Sequence, residues 1–217
     1  MKMLRSVDLS HPIHSEMPVY PGDPTVSISP ATTINHDGFN VLHVQMGSQS
    51  GTHIDAPLHF IDGGATIDSY PLETFVGPAF IAHAADVGDN GVIGADAIPD
   101  PGKPGALLMI RTDWSQYWGG ERYFSHPYLS LEAAQRIVDY GYKAIGIDAL
   151  SVDQTEGSTG DFTAHMILLE AGIPICENLT GVARVDWPTP WLSLVPIRLE
   201  GADGAPIRAF ALELDHP

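Results

Sequence analysis

Ala106-Leu107-Leu108-Met109-Ile110 is an unbroken apolar run of strand length, the pattern of a strand covered on both faces, and it predicts the centre of a sheet. Working outward, Phe75 to Ala82, Ala144 to Ile147, Ile173 to Cys176, Trp191 to Leu199 and Ile207 to Leu212 are further apolar stretches and are predicted as strands. Val41-Leu42-His43-Val44-Gln45-Met46 alternates apolar and polar residues, which predicts a half-buried strand. Helical spacing shows in Leu131 to Tyr140, behind Ser130 as N-cap, and in Phe162 to Ala171, ended by Gly172. The 22 Gly and 18 Pro fall between these runs and do not gather in a linker; Asp86 to Pro104 reads as a long irregular connection. The whole predicts a single α/β domain over residues 1–217, a strand-rich core with a few outer helices.

Chemistry gathers in Gly51-Thr52-His53-Ile54-Asp55-Ala56-Pro57-Leu58-His59. In an extended segment His53 and Asp55, two apart, leave the same face and form a ready pair of metal ligands. Pro57 constrains the chain just afterwards, so a bend can bring His59 to the same cavity, and Gly51 permits a positive φ or a close backbone approach. Downstream, His165 on the second predicted helix and Glu177 at the end of a strand can meet across the intervening turn. Imidazole and carboxylate ligands suit Zn²⁺ or Mn²⁺, and a shared Asp55 carboxylate could bridge two ions. Tyr20, Phe60, Trp114 and Trp118 are candidates for a pocket wall, Tyr20 and Phe60 foremost, because an aromatic ring pairs well with a flat substrate. A covalent serine mechanism lacks its Gly-x-Ser-x-Gly elbow, and Cys176 sits in an apolar strand, where a thiol is inert packing.

Gln49-Ser50-Gly51-Thr52-His53-Ile54-Asp55-Ala56-Pro57-Leu58-His59 closely resembles the His-x-Gly-Thr-His-x-Asp-x-Pro-x-His signature of the cyclase family, which includes bacterial kynurenine formamidases and isatin hydrolases. The resemblance continues in Asp8-Leu9-Ser10, Met17 to Pro24, Gly146-Ile147-Asp148, Ser151-Val152-Asp153, His165 with Leu168-Leu169, and Glu177-Asn178-Leu179. It implies a swivelling β/β/α domain, a homodimer or homotetramer, and a hydrolytic site with one or two divalent ions, Zn²⁺ or Mn²⁺. Carried over by position, His53 and Asp55 belong to one half-site, Asp55, His165 and Glu177 to a second, and His59 is the general acid/base. Gln49 stands where the family has its first histidine, so its amide oxygen would be a weaker metal ligand there. Tyr20 stands where kynurenine formamidases have tryptophan.

The function this implies is metal-dependent hydrolysis of an amide, cyclic amide or imide, or lactone in a small aromatic substrate, as in an arylformamidase. Metal-bound hydroxide would be the nucleophile and His59 the proton carrier. A cyclase or lyase using the same site, and a non-catalytic small-molecule-binding homologue, are the alternatives. With 10 Lys+Arg against 27 Asp+Glu, a net charge of −17 repels phosphate backbones and anionic lipid, so neither nucleic acid nor a membrane is an expected partner. One cysteine, the lack of an apolar leader and the lack of a run of roughly 20 apolar residues predict a cytoplasmic protein.

Overall fold

A computed structural model describes residues 2–155 and 161–215. In chain order the strands are β1 (Met3–Asp8), β2 (Ser27–Thr32), β3 (Val41–Gln45), β4 (His53–Asp55), β5 (Val76–His83), β6 (Val92–Ile93), β7 (Leu107–Arg111), β8 (Tyr128–Leu129), β9 (Ala144–Ile147), β10 (Ile175–Glu177), β11 (Trp191–Ser193), β12 (Gly204–Pro206) and β13 (Phe210–Leu214). The α-helices are α1 (Ile34–Asp37), α2 (Leu131–Asp139) and α3 (Thr163–Glu170). Nine strands form one mixed sheet in the order β1-β13-β11-β5-β7-β9-β10-β4-β12. Its middle, β5-β7-β9-β10, is parallel, and its remaining pairings are antiparallel. This is the expected strand-rich α/β architecture. No helix among the described residues is long and apolar enough to cross a membrane.

Parallel neighbours need crossovers, and α2 carries the chain from β7 to β9 and α3 from β9 to β10. Both helices therefore lie against the middle of the sheet. The apolar run at β7 is unbroken because both faces are covered: Leu108 and Ile110 join a core with Ile137, Leu168 and Leu169 of the helices, while Leu107 and Met109 join a second core with Ile54, Cys176 and Leu192. Ser130 caps α2 by accepting from the Ala133 N–H, and Gly172, at φ 74°, ends the turn after α3.

Several expected elements are corrected. Val41–Gln45 is a strand, but every residue in it is exposed, because β2 and β3 pair only with each other as a hairpin outside the main sheet. Of the run Trp191 to Leu199, only Trp191–Ser193 is a strand; Pro196, lacking an N–H, takes part only as a bridge to Ile207. Of the run Ile207 to Leu212 only the part from Phe210 onward is strand, in β13, with Ile207 an isolated bridge, and the strand expected at Ile173 to Cys176 begins at Ile175. Asp86 to Pro104 holds the short β6 and one 3-10 turn.

The N-terminal segment is tied to the strand that carries the site: the His11 N–H donates to Thr52 Oγ1 at 2.9 Å, and its ring lies flat on Trp118 with centroids 4.0 Å apart. Burial lowers the His11 pKa from 6.5 to about 4, and Nε2 is buried without a hydrogen-bond partner. A depressed folded pKa means that the unfolded chain binds the extra proton, so this stability is complete above pH 6.5 and is lost as pH falls towards about 4. His11→Phe keeps the stack and removes the proton site. Urea unfolding at several pH values across that window should therefore show a shallower acid slope for the variant; an unchanged slope would assign the effect elsewhere.

Candidate active site

Antiparallel register builds the centre. β4 pairs with β10 so that His53 stands directly opposite Glu177, and Asp55, two residues on, shares its face. Ile54 and Cys176 point the other way into the core, so three short polar side chains project from one patch of sheet. Helix α3 supplies His165 to the same patch. His53 Nε2 lies 3.4 Å from Asp55 Oδ1 and 3.7 Å from Glu177 Oε2, while His165 Nε2 lies 3.6 Å from Asp55 Oδ2 and 3.3 Å from Glu177 Oε1. Each carboxylate thus sits between both imidazoles and offers one oxygen to each. All four groups are buried.

Other groups aim these four. The Gly51 carbonyl accepts from His53 Nδ1 at 2.8 Å and from Asn178 Nδ2 at 3.1 Å, and Tyr123 donates to Asn178 Oδ1 at 2.7 Å. Gly51 adopts φ 66°, the positive φ anticipated from the sequence, and this places its carbonyl under His53. Asp153 accepts from the Ala164 and His165 N–H groups, so it caps α3, and from His165 Nδ1 at 2.7 Å. Both rings therefore spend Nδ1–H on fixed acceptors and turn Nε2 to the carboxylates. The Val152 N–H holds Glu177 Oε1 at 3.0 Å.

Both oxygens of Asp55 are buried and accept no hydrogen bond. Burial opposes the charge on His53, but Asp55 and Glu177 outweigh it and raise His53 to about 9; burial likewise opposes the charge on Asp55, and His53 outweighs it and holds the carboxyl low. A tetrahedral ion about 2.0–2.2 Å from N and O donors leaves neighbouring donors about 3.3–3.6 Å apart. The observed separations fall on that scale, and the unsatisfied Asp55 oxygens are what such an ion would satisfy, so this donor set fits a divalent cation. Among the described residues, His53, Asp55 and Glu177 form a group whose ligand atoms all lie within 4.8 Å of one another.

His59 lies at the edge of this cluster. Its Nδ1 is 3.3 Å from Asp203 Oδ2 and 3.4 Å from Gln49 Nε2, two contacts that demand opposite tautomers. Asp203 decides the matter, since a charged acceptor makes the stronger bond, and Nδ1 carries the proton. Burial pushes Asp203 up, but donors from Gln49 Nε2 at 2.8 Å and Ser48 Oγ at 2.9 Å outweigh it, so its pKa is lowered. The Gln49 amide therefore faces Asp203 through nitrogen, and its Oε1 is buried with no hydrogen-bond partner. A Cβ on Gly204 would come within 2.6 Å of Gln49 Nε2 and 2.7 Å of the Ile54 carbonyl, so both the amide and the strand beside it need glycine there.

These groups open on a cavity of about 390 Å³ lined by Tyr20, Phe60, Leu150 and Phe162 as well as His53, His59, His165 and Glu177. Tyr20 and Phe60 both lie in its wall, and the Phe60 ring lies 4.6 Å from that of His165. Trp114 and Trp118 are not in the wall: Trp114 is core, its Nε1 donating to the carbonyls of Arg122 and Tyr123, and Trp118 stacks on His11. Cys176 is a buried thiol with its pKa raised by burial. The sequence reading missed Asp203, Asn178, Tyr123 and the orienting role of Asp153. Their partners lie 144, 127, 55 and 12 residues away, so no local spacing signals them.

A family model described as "Putative cyclase" matches residues 7–154. The chain is 33% identical over 215 residues to the kynurenine formamidase of Bacillus cytotoxicus, covering 97% of this chain and 98% of that protein. Among solved structures, isatin hydrolase A from Labrenzia aggregata bound to benzyl benzoate superposes with a TM-score of 0.84 at 24% identity, over 96% of this chain and 93% of that one. A protein described as a potential metal-dependent hydrolase with cyclase activity does so with a TM-score of 0.81 at 29% identity, over 98% and 99%.

Groups that orient a ligand from behind typically control metal affinity about 10–100-fold. Asp153→Asn should weaken Zn²⁺ binding by that factor in competition with a chromophoric chelator, because one amide cannot accept from both N–H groups and the ring. Unchanged affinity would leave Asp153 as a helix cap only.

Proposed function

Because the chain belongs to the cyclase family and is a metal-dependent hydrolase acting on carbon–nitrogen bonds, we propose that it cleaves an amide, cyclic amide or imide of a small aromatic substrate, in the manner of an arylformamidase, with lactones as a related class. The observation that carries this reading is the ring of His53, Asp55, His165 and Glu177, with two unsatisfied carboxylate oxygens, at the floor of an aromatic-walled cavity beside His59. These four residues would hold the ion, Zn²⁺ or Mn²⁺, and Gln49 Oε1 is a further, weaker oxygen donor. When bound, a divalent ion polarises a carbonyl and lowers the pKa of water from 15.7 towards about 7.

Everything else falls to the chain. Tyr20 and Phe60 hold the substrate ring and, with Phe162, exclude bulk water from one side of the cavity. With Nδ1–H directed at Asp203, His59 keeps Nε2 free to take the proton of the attacking water and return it to the leaving nitrogen. Asp203 acts through His59 and is a positioning residue. Gln49 and Ser48 hold Asp203 in turn. The lone buried thiol, Cys176, supports a cytoplasmic setting.

The purified protein should carry at least one equivalent of Zn²⁺ or Mn²⁺ per chain by elemental analysis, and chelation should abolish hydrolysis of an aryl formamide until the ion is restored. His59→Ala should retain the metal and lose about 10²–10⁴-fold in kcat, and Asp203→Asn should lower kcat with little change in KM. Turnover retained by His59→Ala removes His59 from the proton path. A protein that takes up neither ion on incubation ends the hydrolase reading.

We propose further that the chain works as a homodimer or homotetramer. The β2–β3 hairpin exposes Ile34, Phe39, Val41, Leu42 and Val44 without cover from its own chain, and a two-stranded hairpin alone is marginal in water. Sedimentation should find a dimer or tetramer, and Leu42→Asp with Val44→Asp should dissociate it. A wild-type monomer at micromolar concentration refutes the assembly.

A further inference from the structure

Tyr20-Pro21-Gly22-Asp23 is a turn in which the Asp23 N–H donates to the Tyr20 carbonyl at 3.0 Å and Gly22 takes φ 104°. Pro at the second position and Gly at the third are what a type II turn requires, since the third residue must reach positive φ. The turn delivers its first and last residues to the same place: Tyr20 and Asp23 both line the cavity above the metal-ligand cluster. Asp23 is half-buried there. No described residue donates a hydrogen bond to its carboxylate, and His53, His59, Asp55 and Asp203 all lie close enough to act on its charge.

Among the described residues, the rest of the wall offers Asp23 no lysine or arginine, and its imidazoles are those directed at the metal-ligand cluster and at Asp203. None of the ten Lys and Arg residues lines this cavity, and the residues outside the described set, Met1, 156–160, His216 and Pro217, include neither type. Several of the ten are engaged far from it: Arg5 with Asp186 and Glu213, Arg111 with Asp113, Arg122 with Asp89 and Arg208 with Asp8. The ion does not reverse this balance. A divalent cation is matched in charge by Asp55 and Glu177, and Asp203 is committed to Gln49, Ser48 and His59. Asp23 is the carboxylate left over, in a pocket whose lining away from the metal-ligand cluster includes the apolar Tyr20, Phe60, Leu150 and Phe162.

We infer that Asp23 is a specificity-determining residue of this pocket, and that it selects small aryl ligands carrying a protonated amine over neutral and carboxylate-bearing ones. The inference takes from the proposed function only that this cavity receives the substrate. The ammonium donates to Asp23 while the ring lies between Tyr20 and Phe60. Aromatic faces also favour a nearby cation and give nothing to an anion.

Binding can be read without turnover. Calorimetric titration of the metal-loaded protein with benzylamine, protonated at pH 7, and with benzyl alcohol as its neutral counterpart compares the two charges on one ring. A hydrogen bond between charged partners at a half-exposed site corresponds to about tenfold in affinity. The wild type should bind the ammonium about tenfold more tightly, Asp23→Asn should bring the ratio to about one, and Asp23→Lys should invert it. A wild-type ratio of one, or a preference that survives in Asp23→Asn, overturns the inference. Formanilide and its aminomethyl derivative, assayed in parallel, separate this from the reaction: a preserved ammonium preference with neither compound hydrolysed keeps Asp23 in its role and removes only the arylformamidase reading.

Discussion

Asp55 is a buried carboxylate whose two oxygens accept no hydrogen bond. Such a group is costly to bury: the desolvation of an uncompensated charge amounts to several kcal/mol. The chain offsets this by placing one imidazole on each oxygen, His53 on Oδ1 and His165 on Oδ2, and by closing the ring with Glu177. The surroundings of Asp55 follow from that need. β4 must pair with β10 in the one register that sets His53 opposite Glu177, because a slip of one residue would turn Ile54 into the site and both ligands into the core.

The imidazoles in turn must be aimed, and the chain aims them with groups that also serve the fold. Asp153, in the connection after β9, caps α3 and fixes the His165 ring. The helix start and the ligand orientation are therefore a single interaction, and α3 is set by the site as much as by its apolar face. The Gly51 carbonyl does the same for His53, held from the far side by Asn178 and Tyr123. Asn178 immediately follows Glu177 at positive φ, so the strand that presents one ligand bends at once to orient another. The rigidity of the centre comes from this double use of short segments.

Much of this was legible in the sequence, and for local reasons. Strands β7 and β9 are continuous apolar runs because they are covered on both faces, β5 is an apolar stretch covered only in part, and α2 announces itself through Ser130 and its apolar spacing. His53, Asp55 and His59 were legible because turn formers confine them to one short segment. What stayed hidden depends on distant partners. The alternation at Val41–Gln45 reads as a half-buried strand, yet nothing in that pattern says whether a core lies beneath it, and here none does within the chain. Asp203 sits in an ordinary turn sequence and gains its meaning only when β12 lies beside β4, with Gly204 opposite Asp55.

That last juxtaposition ties the chain's departure at Gln49 to its proton chemistry. An imidazole at position 49 could offer a ring nitrogen to a cation, whereas the amide turns its nitrogen to Asp203 and leaves only a carbonyl oxygen facing elsewhere. Asp203 gains a donor by this exchange, its carboxyl is held ionised, and an ionised Asp203 is what keeps Nδ1 of His59 protonated and Nε2 free. Gly204 makes the exchange possible, since a methyl group there would occupy the space of the amide. One substitution in the motif thus weakens a candidate metal ligand and strengthens the support of the neighbouring histidine. The amide must divide one nitrogen and one oxygen between Asp203 and a cation, whereas an imidazole could serve both through its two ring nitrogens, so the coupling of the two effects is a property of glutamine at this position.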